Sequence, residues 1–167
     1  MKRLWWLVVV IVFLIIADQL SKGAIESSYQ LGESTPVIKN FFQITYVQNT
    51  GAFWGIGQSW SESVKKFFFL FLSSVIALGV IYLFIKTIKG SIIQSWAFAL
   101  IIAGAIGNLL DRYLLGYVID MFDFFIIYNQ TIYRWAVFNL ADACICIGMV
   151  MLVFEEIYIK KKNPVKN

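Results

Sequence analysis

Four apolar runs, each close to the length a helix needs to cross a lipid bilayer, limit what this chain can fold into. They extend from Leu4 to Ala17, where Asp18 interrupts, from Phe67 to Ile85, from about Ile92 to Leu115 and from about Trp135 to Phe154. Some 20 helical residues, by rough rule, span the hydrocarbon core, and in lipid only helices or closed barrels satisfy their own backbone. Composition agrees, with 60% hydrophobic residues and 14% charged, outside the balance of a soluble domain. The expected fold class is therefore membrane all-α, with spans at about 4–22, 67–85, 92–115 and 135–156 and one domain over residues 1–167. The first run, with Met1, Lys2 and Arg3 before it, also has the length of a signal peptide. No small-x-small cleavage pattern follows it, so a retained helix is expected.

The chain has no histidine, which removes His-based triads, the usual zinc sites and the commonest general base. Cys144 and Cys146 are two apart, so a helix turns them to different faces. They read as small buried residues, not as a redox pair or metal site. Lys and Arg gather on the cytoplasmic side of short loops. With both termini on that side, it holds Lys2, Arg3, Lys86, Lys89, Lys160, Lys161, Lys162 and Lys166 against Glu155 and Glu156, a net +6. The outer side holds Lys22, Lys39, Lys65, Lys66, Arg112 and Arg134 against Asp18, Glu26, Glu33, Glu62, Asp111, Asp120, Asp123 and Asp142, a net −2. The two agree with the +4 of the whole chain. That basic balance reflects topology and anionic inner lipid, and implies no nucleic-acid partner.

In this topology every Asp falls at or beyond the outer ends of the helices. A charge at membrane depth is costly and points to function, whereas one near the interface is cheaper and can be structural. Asp142 supports both readings equally: Asn139 can cap the fourth helix, and Asp142, three residues on, then faces the positive end of the helix dipole. Asn108, Asp111 and Arg112, spaced i, i+3 and i+4, share one face near the outer end of the third helix, where a structural ion pair between Asp111 and Arg112 is expected. Asp18 and Lys22, also four apart, can pair in the same way. Ala103, Gly104 and Gly107 are small enough to let another helix approach closely.

Residues 24–66 form the longest segment outside the runs. Phe42, Ile44 and Tyr46 alternate with Gln43 and Thr45 before Asn49 and Gly51 break the pattern, which predicts a small outer sheet. Its aromatics would rest on lipid headgroups or line a cleft. The stretch "GYVIDMFDFFIIYNQTIYR" is too apolar for a free linker and is expected to lie along the membrane interface.

Five blocks, "DQLSK" at 18–22, "NTGAFWG" at 49–55, "GNLLDR" at 107–112, "GYVID" at 116–120 and "FNLAD" at 138–142, resemble the lipoprotein signal peptidases (signal peptidase II) in order and spacing over nearly the whole chain. The resemblance implies a monomeric aspartyl endopeptidase of the bacterial inner membrane, with its active site near the extracytoplasmic face. Such an enzyme cuts diacylglyceryl-modified prolipoproteins on the N-terminal side of the lipidated cysteine, uses no metal or other cofactor, works among membrane lipids and is inhibited by globomycin-type antibiotics. The fold implied is four transmembrane helices, a small extracytoplasmic β-cradle and an interfacial helix or loop before the last helix. Matched by motif, the catalytic pair falls on Asp120 and Asp142, while Asp18, Lys22, Asn49, Gly51, Asn108, Asp111, Arg112, Asn139 and Ala141 support the site or contact substrate. Met121 stands where the family pattern has Phe. Asp123 is a rival acid, but the motif assigns the role to Asp120.

The chemistry suits such a pair, since amide hydrolysis needs a base to activate water and an acid for the leaving group, and two carboxylates sharing a proton supply both. Three other readings compete. A carrier could pass protons or cations along Asp18, Asp111 and Asp142, though none lies mid-bilayer and no repeat is visible. Ser21 and Lys22 could suggest a Ser/Lys peptidase, but helix neighbours point about 100° apart. A structural anchor with capped helices leaves the five blocks unexplained.

Overall fold

A computed structural model describes residues 2–51 and 60–162. The apolar runs fold into four helices, α1 Lys2–Ser28, α2 Glu62–Thr87, α3 Ile92–Leu114 and α4 Leu140–Lys162, all but α3 longer than the corresponding run. Serines start two of them. Ser61 accepts a hydrogen bond from the backbone N of Val64, and Ser91 accepts from those of Ile93 and Gln94, which satisfies amides that have no partner inside the helix. Among the described residues three helices, α1, α2 and α3, are long and apolar enough to cross a membrane. Helix α4 has similar length but carries Asp142, Glu155 and Glu156.

Helix α3 lies at the centre, packed against α1, α2 and α4. Leu7, Phe84, Phe98, Ala99 and Ile102 form a buried cluster between α1, α2 and α3, with Leu152 of α4 against it. Small residues permit these approaches, as expected: a Cβ on Gly107 would lie 2.6 Å from Asp18 Oδ2 and 3.3 Å from the Ala141 Cβ. The outer surface is apolar instead of polar, with Trp5, Trp6, Phe13, Leu20, Phe67 and Leu78 all exposed. In water each would forgo roughly 1.5–3 kcal/mol of burial; against lipid the exposure carries no such cost. Cys144 and Cys146 do face different ways, but only Cys144 is buried.

The polar ends differ. Arg3 donates to the backbone oxygens of Gly90 and Ser91 and to Ser95 Oγ, tying the start of α1 to the α2–α3 turn. At the other end sits an antiparallel sheet in the order β1-β2-β3-β4, with β1 Ser34–Ile38, β2 Phe42–Asn49, β3 Val118–Tyr128 and β4 Thr131–Arg134. The predicted outer strand is β2. Ile25 of α1 packs with Tyr46, Ile119 and Met121 to fasten the sheet to the bundle, so Met121 serves as core.

Two expectations are corrected. The stretch before α4 is not an interfacial helix or loop but the β3–β4 hairpin. Its β-branched and aromatic residues favour pleated structure, and Asn129 and Gln130, at φ 48° and 63°, make the two-residue turn whose twist matches paired strands. The fourth helix starts at Leu140, not Trp135, because Phe138 still pairs with Phe122 across a β-bridge and Asn139 caps. Ala52, Phe53, Trp54 and Gly55 of "NTGAFWG" lie outside the described residues.

Candidate active site

Strand β3 and the start of α4 each bring one carboxylate to the same asparagine. Asn139 donates from Nδ2 to Asp120 Oδ1 at 2.7 Å and from its backbone N to Asp142 Oδ2 at 3.2 Å. Its own Oδ1 accepts from the backbone N of Asp142 at 2.9 Å, a reciprocal cap at the helix start. The capping and site readings of Asp142 thus describe one geometry. Asp142 Oδ1 also accepts from Asn108 Nδ2 at 2.7 Å, and Asp120 Oδ2 from Asn49 Nδ2 at 2.9 Å. Asn49 is oriented by Gly51, whose backbone N reaches Asn49 Oδ1 at 2.9 Å. Gly51 has φ 91°, and a side chain there would run into the Phe69 ring, so only glycine fits.

Behind this pair lies a buried ionic cluster. Lys22 Nζ is 2.8 Å from Asp18 Oδ2, 2.9 Å from Asp111 Oδ2 and 3.1 Å from Asn108 Oδ1, three acceptors for three protons. Asp18 Oδ1 accepts from the backbone N of Ala141 at 2.9 Å and Asp111 Oδ2 from that of Ile119 at 3.1 Å. Those bonds lock the starts of α4 and β3, the two elements that bear Asp142 and Asp120.

All eleven residues singled out from sequence therefore fall in one connected region, with one pairing changed. Asp111 pairs with Lys22, not with Arg112, which donates to the Asn108 backbone oxygen at 3.3 Å and interacts electrostatically with Asp142, Asp120 and Asp111. Gln19 was not singled out, yet its Nε2 donates to Asp111 Oδ1 at 2.8 Å; its place inside "DQLSK" was the available signal. The rival acid Asp123 is fully buried elsewhere on β3, opposite Gln43 where Asp120 is opposite Val47. Gln43 Nε2 and Thr45 Oγ1 donate to it, and Arg134 Nε lies 3.3 Å away. Ser21 Oγ donates to the Asp18 backbone oxygen and Lys22 is consumed in the cluster, so the two form no nucleophile-base pair. Among the described residues no group of His, Cys, Asp and Glu could hold a metal ion.

Burial pushes the Asp120 carboxyl up to about 6 and the charge of Asp142 adds to that rise, while the amides of Asn49 and Asn139 and the ammonium of Lys22 oppose it. Asp120 can therefore hold a proton under mildly acidic conditions.

Residues 10–158 match the family model described as signal peptidase (SPase) II. The chain belongs to the signal peptidase II family. It is thus an aspartic-type signal peptidase, and the carrier reading is left without support. Similar proteins include the lipoprotein signal peptidases of Desulforapulum autotrophicum, 41% identical with 88% of each chain covered, and Fusobacterium nucleatum, 39% identical with 92% of this chain and 87% of that one. That of Staphylococcus aureus is 34% identical, with 95% and 94% covered. Two solved structures of bacterial membrane enzymes share the fold. One has TM-score 0.80 at 32% identity, covering 96% of this chain and 93% of the other; the second has TM-score 0.76 at 34% identity, covering 89% and 90%.

Proposed function

We propose that this signal peptidase II removes signal peptides from diacylglyceryl-modified prolipoproteins, cutting on the N-terminal side of the lipidated cysteine, with Asp120 and Asp142 as the catalytic pair. The observation that carries the assignment is the single bridge from Asn139 to both carboxylates. Asp142, as a carboxylate, takes a proton from the attacking water while protonated Asp120 passes its proton to the scissile carbonyl oxygen. On collapse of the tetrahedral diol, Asp142 protonates the leaving nitrogen as the C–N bond breaks, and Asp120 recovers its proton from a diol hydroxyl. Asp18, Lys22, Asn49, Gly51, Asn108, Asp111, Arg112, Asn139 and Ala141 support this pair or meet substrate.

The chain acts as a single-domain monomer in the bacterial inner membrane, crossing it four times with both termini cytoplasmic. The sheet then lies on the extracytoplasmic face beside the lipid-anchored cleavage site, within reach of globomycin-type inhibitors. Incubating the purified protein with a diacylglyceryl-modified prolipoprotein tests the reading. The expected outcome is a shift to the mature product that such an inhibitor blocks; an unchanged substrate, or cleavage of the unlipidated precursor equally well, would overturn it.

A further inference from the structure

We infer that Lys22 is a positioning residue: by holding the Asn108 amide oxygen it aims Asn108 Nδ2 at Asp142 Oδ1 and keeps that carboxylate in its reactive orientation. This rests on the catalytic pair proposed above. Three asparagine amides point donors at the two carboxylates, and each amide has something that decides which way it faces. The oxygen of Asn49 is turned by the backbone N of Gly51 and that of Asn139 by the backbone N of Asp142, groups that can only donate. Among the described residues no backbone N–H reaches the Asn108 amide oxygen. That oxygen receives Lys22 Nζ and Asn139 Nδ2, both at 3.1 Å. Asn139 Nδ2 has two hydrogens and three acceptors, Asp120 Oδ1 at 2.7 Å, Asn108 Oδ1 and the Ile119 oxygen at 3.2 Å, so its hold on Asn108 is shared. The Lys22 ammonium has one proton for each of its acceptors, so Asn108 has one to itself.

Stability alone gives little reason for this arrangement, because burying an ammonium is costly and apolar side chains often hold a bundle as well. The aimed amide gives a reason. Without Lys22, Asn108 can turn its oxygen toward Asp142, which replaces attraction by repulsion.

Kinetics of the full-length protein on lipid-modified substrate test this. Lys22→Met should lower kcat by about a hundredfold, the scale of one misplaced or missing active-site donor, with KM within about threefold. Lys22→Gln, which keeps an N–H donor without the charge, should fall between the two. The charged groups facing Asp120 are Asp142 on α4, Lys22 on α1 and Arg112 on α3. Loss of the Lys22 charge removes an influence that favours ionised Asp120, so the alkaline limb of the activity profile should move to higher pH. That shift follows from the charge alone; a merely structural lysine would lower the yield of folded protein and leave kcat of the folded fraction at the parent value. Should Lys22→Met not fold, the charge-free triple variant Asp18→Asn, Lys22→Met, Asp111→Asn leaves no unpaired ion and should fold with kcat still depressed. Parent-like kcat in any folded Lys22 variant, or failure of every variant to fold, would overturn the inference. If the parent itself does not cleave, the proposed function fails instead.

Discussion

Asp120 is the residue at which burial and chemistry pull against each other. Its carboxyl moves from 3.8 to about 6, so the folded state binds this proton more tightly than the unfolded chain does. Stability is lost as pH rises from about 4 to about 6, by up to roughly 3 kcal/mol above that window. Asp120→Asn removes the ionisation but loses one acceptor for the amides of Asn49 and Asn139. It should abolish cleavage and raise Tm at pH 7.5, with the gain shrinking toward pH 4; melting curves at both pH values and a turnover assay check this, and near-parent turnover would remove Asp120 from the chemistry. Parent activity should fall as pH rises through about 6, because Asp120 must carry a proton to act as the acid. Asp142→Asn should also end cleavage, and it should lower Tm by several degrees. Its oxygen can keep the bond from the Asn139 backbone, while its amino group meets Asn108 Nδ2, a donor facing a donor, at a cost of about 1–3 kcal/mol. At this scale sequence reads well where partners are near along the chain: Asp18 with Lys22, and Asn139 capping beside Asp142, are both within four residues. It fails for Asp111, since helix spacing places Arg112 beside it but says nothing of the lysine that α1 brings from 89 positions away.

Helices were legible from their apolar runs, and β2 from its alternation, because each carries its own period. The β3–β4 hairpin was not. Residues 118–128 carry apolar side chains at both odd and even positions, and burial falls along the strand, from Val118–Met121 to exposed Ile126–Tyr128, instead of alternating, so no period of two marks them. Its turn also uses an unfavourable residue: Gln130 at φ 63° lacks the tolerance of glycine or asparagine for that conformation, at a cost of roughly 1–2 kcal/mol. Gln130→Gly should raise Tm with activity unchanged; a lower Tm would mean the side chain contributes more than its strain costs. The packing of α1, α3 and α4 makes the opposite forecast for Gly107. A Cβ there meets Asp18 Oδ2 and the Ala141 Cβ, so Gly107→Ala should cost about 1–3 kcal/mol through overpacking. It should also lower turnover by pushing Asp18 off the Ala141 amide. A variant with parent stability and parent rate would mean that the three helices adjust without disturbing the cluster.

For the whole molecule the decisive quantity is which end of the bundle faces the cytoplasm. Arg3 binds the α2–α3 turn near Lys86 and Lys89, and α4 runs from the sheet end back toward that same end, so the basic positions of the sequence gather away from the sheet. Translocating this end would carry a net +6 across the membrane, whereas the sheet end carries a net −2, and short basic loops are retained inside. Helices of 23 to 27 residues are about 35–40 Å long, enough to cross a core of about 30 Å. If all four cross, both termini share one side and the sheet lies opposite. Replacing Cys144 and Cys146 by Ala and adding a single Cys tests this with a membrane-impermeant thiol reagent applied to intact cells whose outer surface is accessible. A Cys at Ser34, on the exposed strand β1, should be labelled in intact cells. A Cys at Lys161 should be labelled only after the membrane is opened. Labelling of both positions from outside would mean an even number of crossings between them, with α4 not a span. The reverse pattern would invert the protein, place Asp120 and Asp142 in the cytoplasm and deny them a substrate anchored on the extracytoplasmic face.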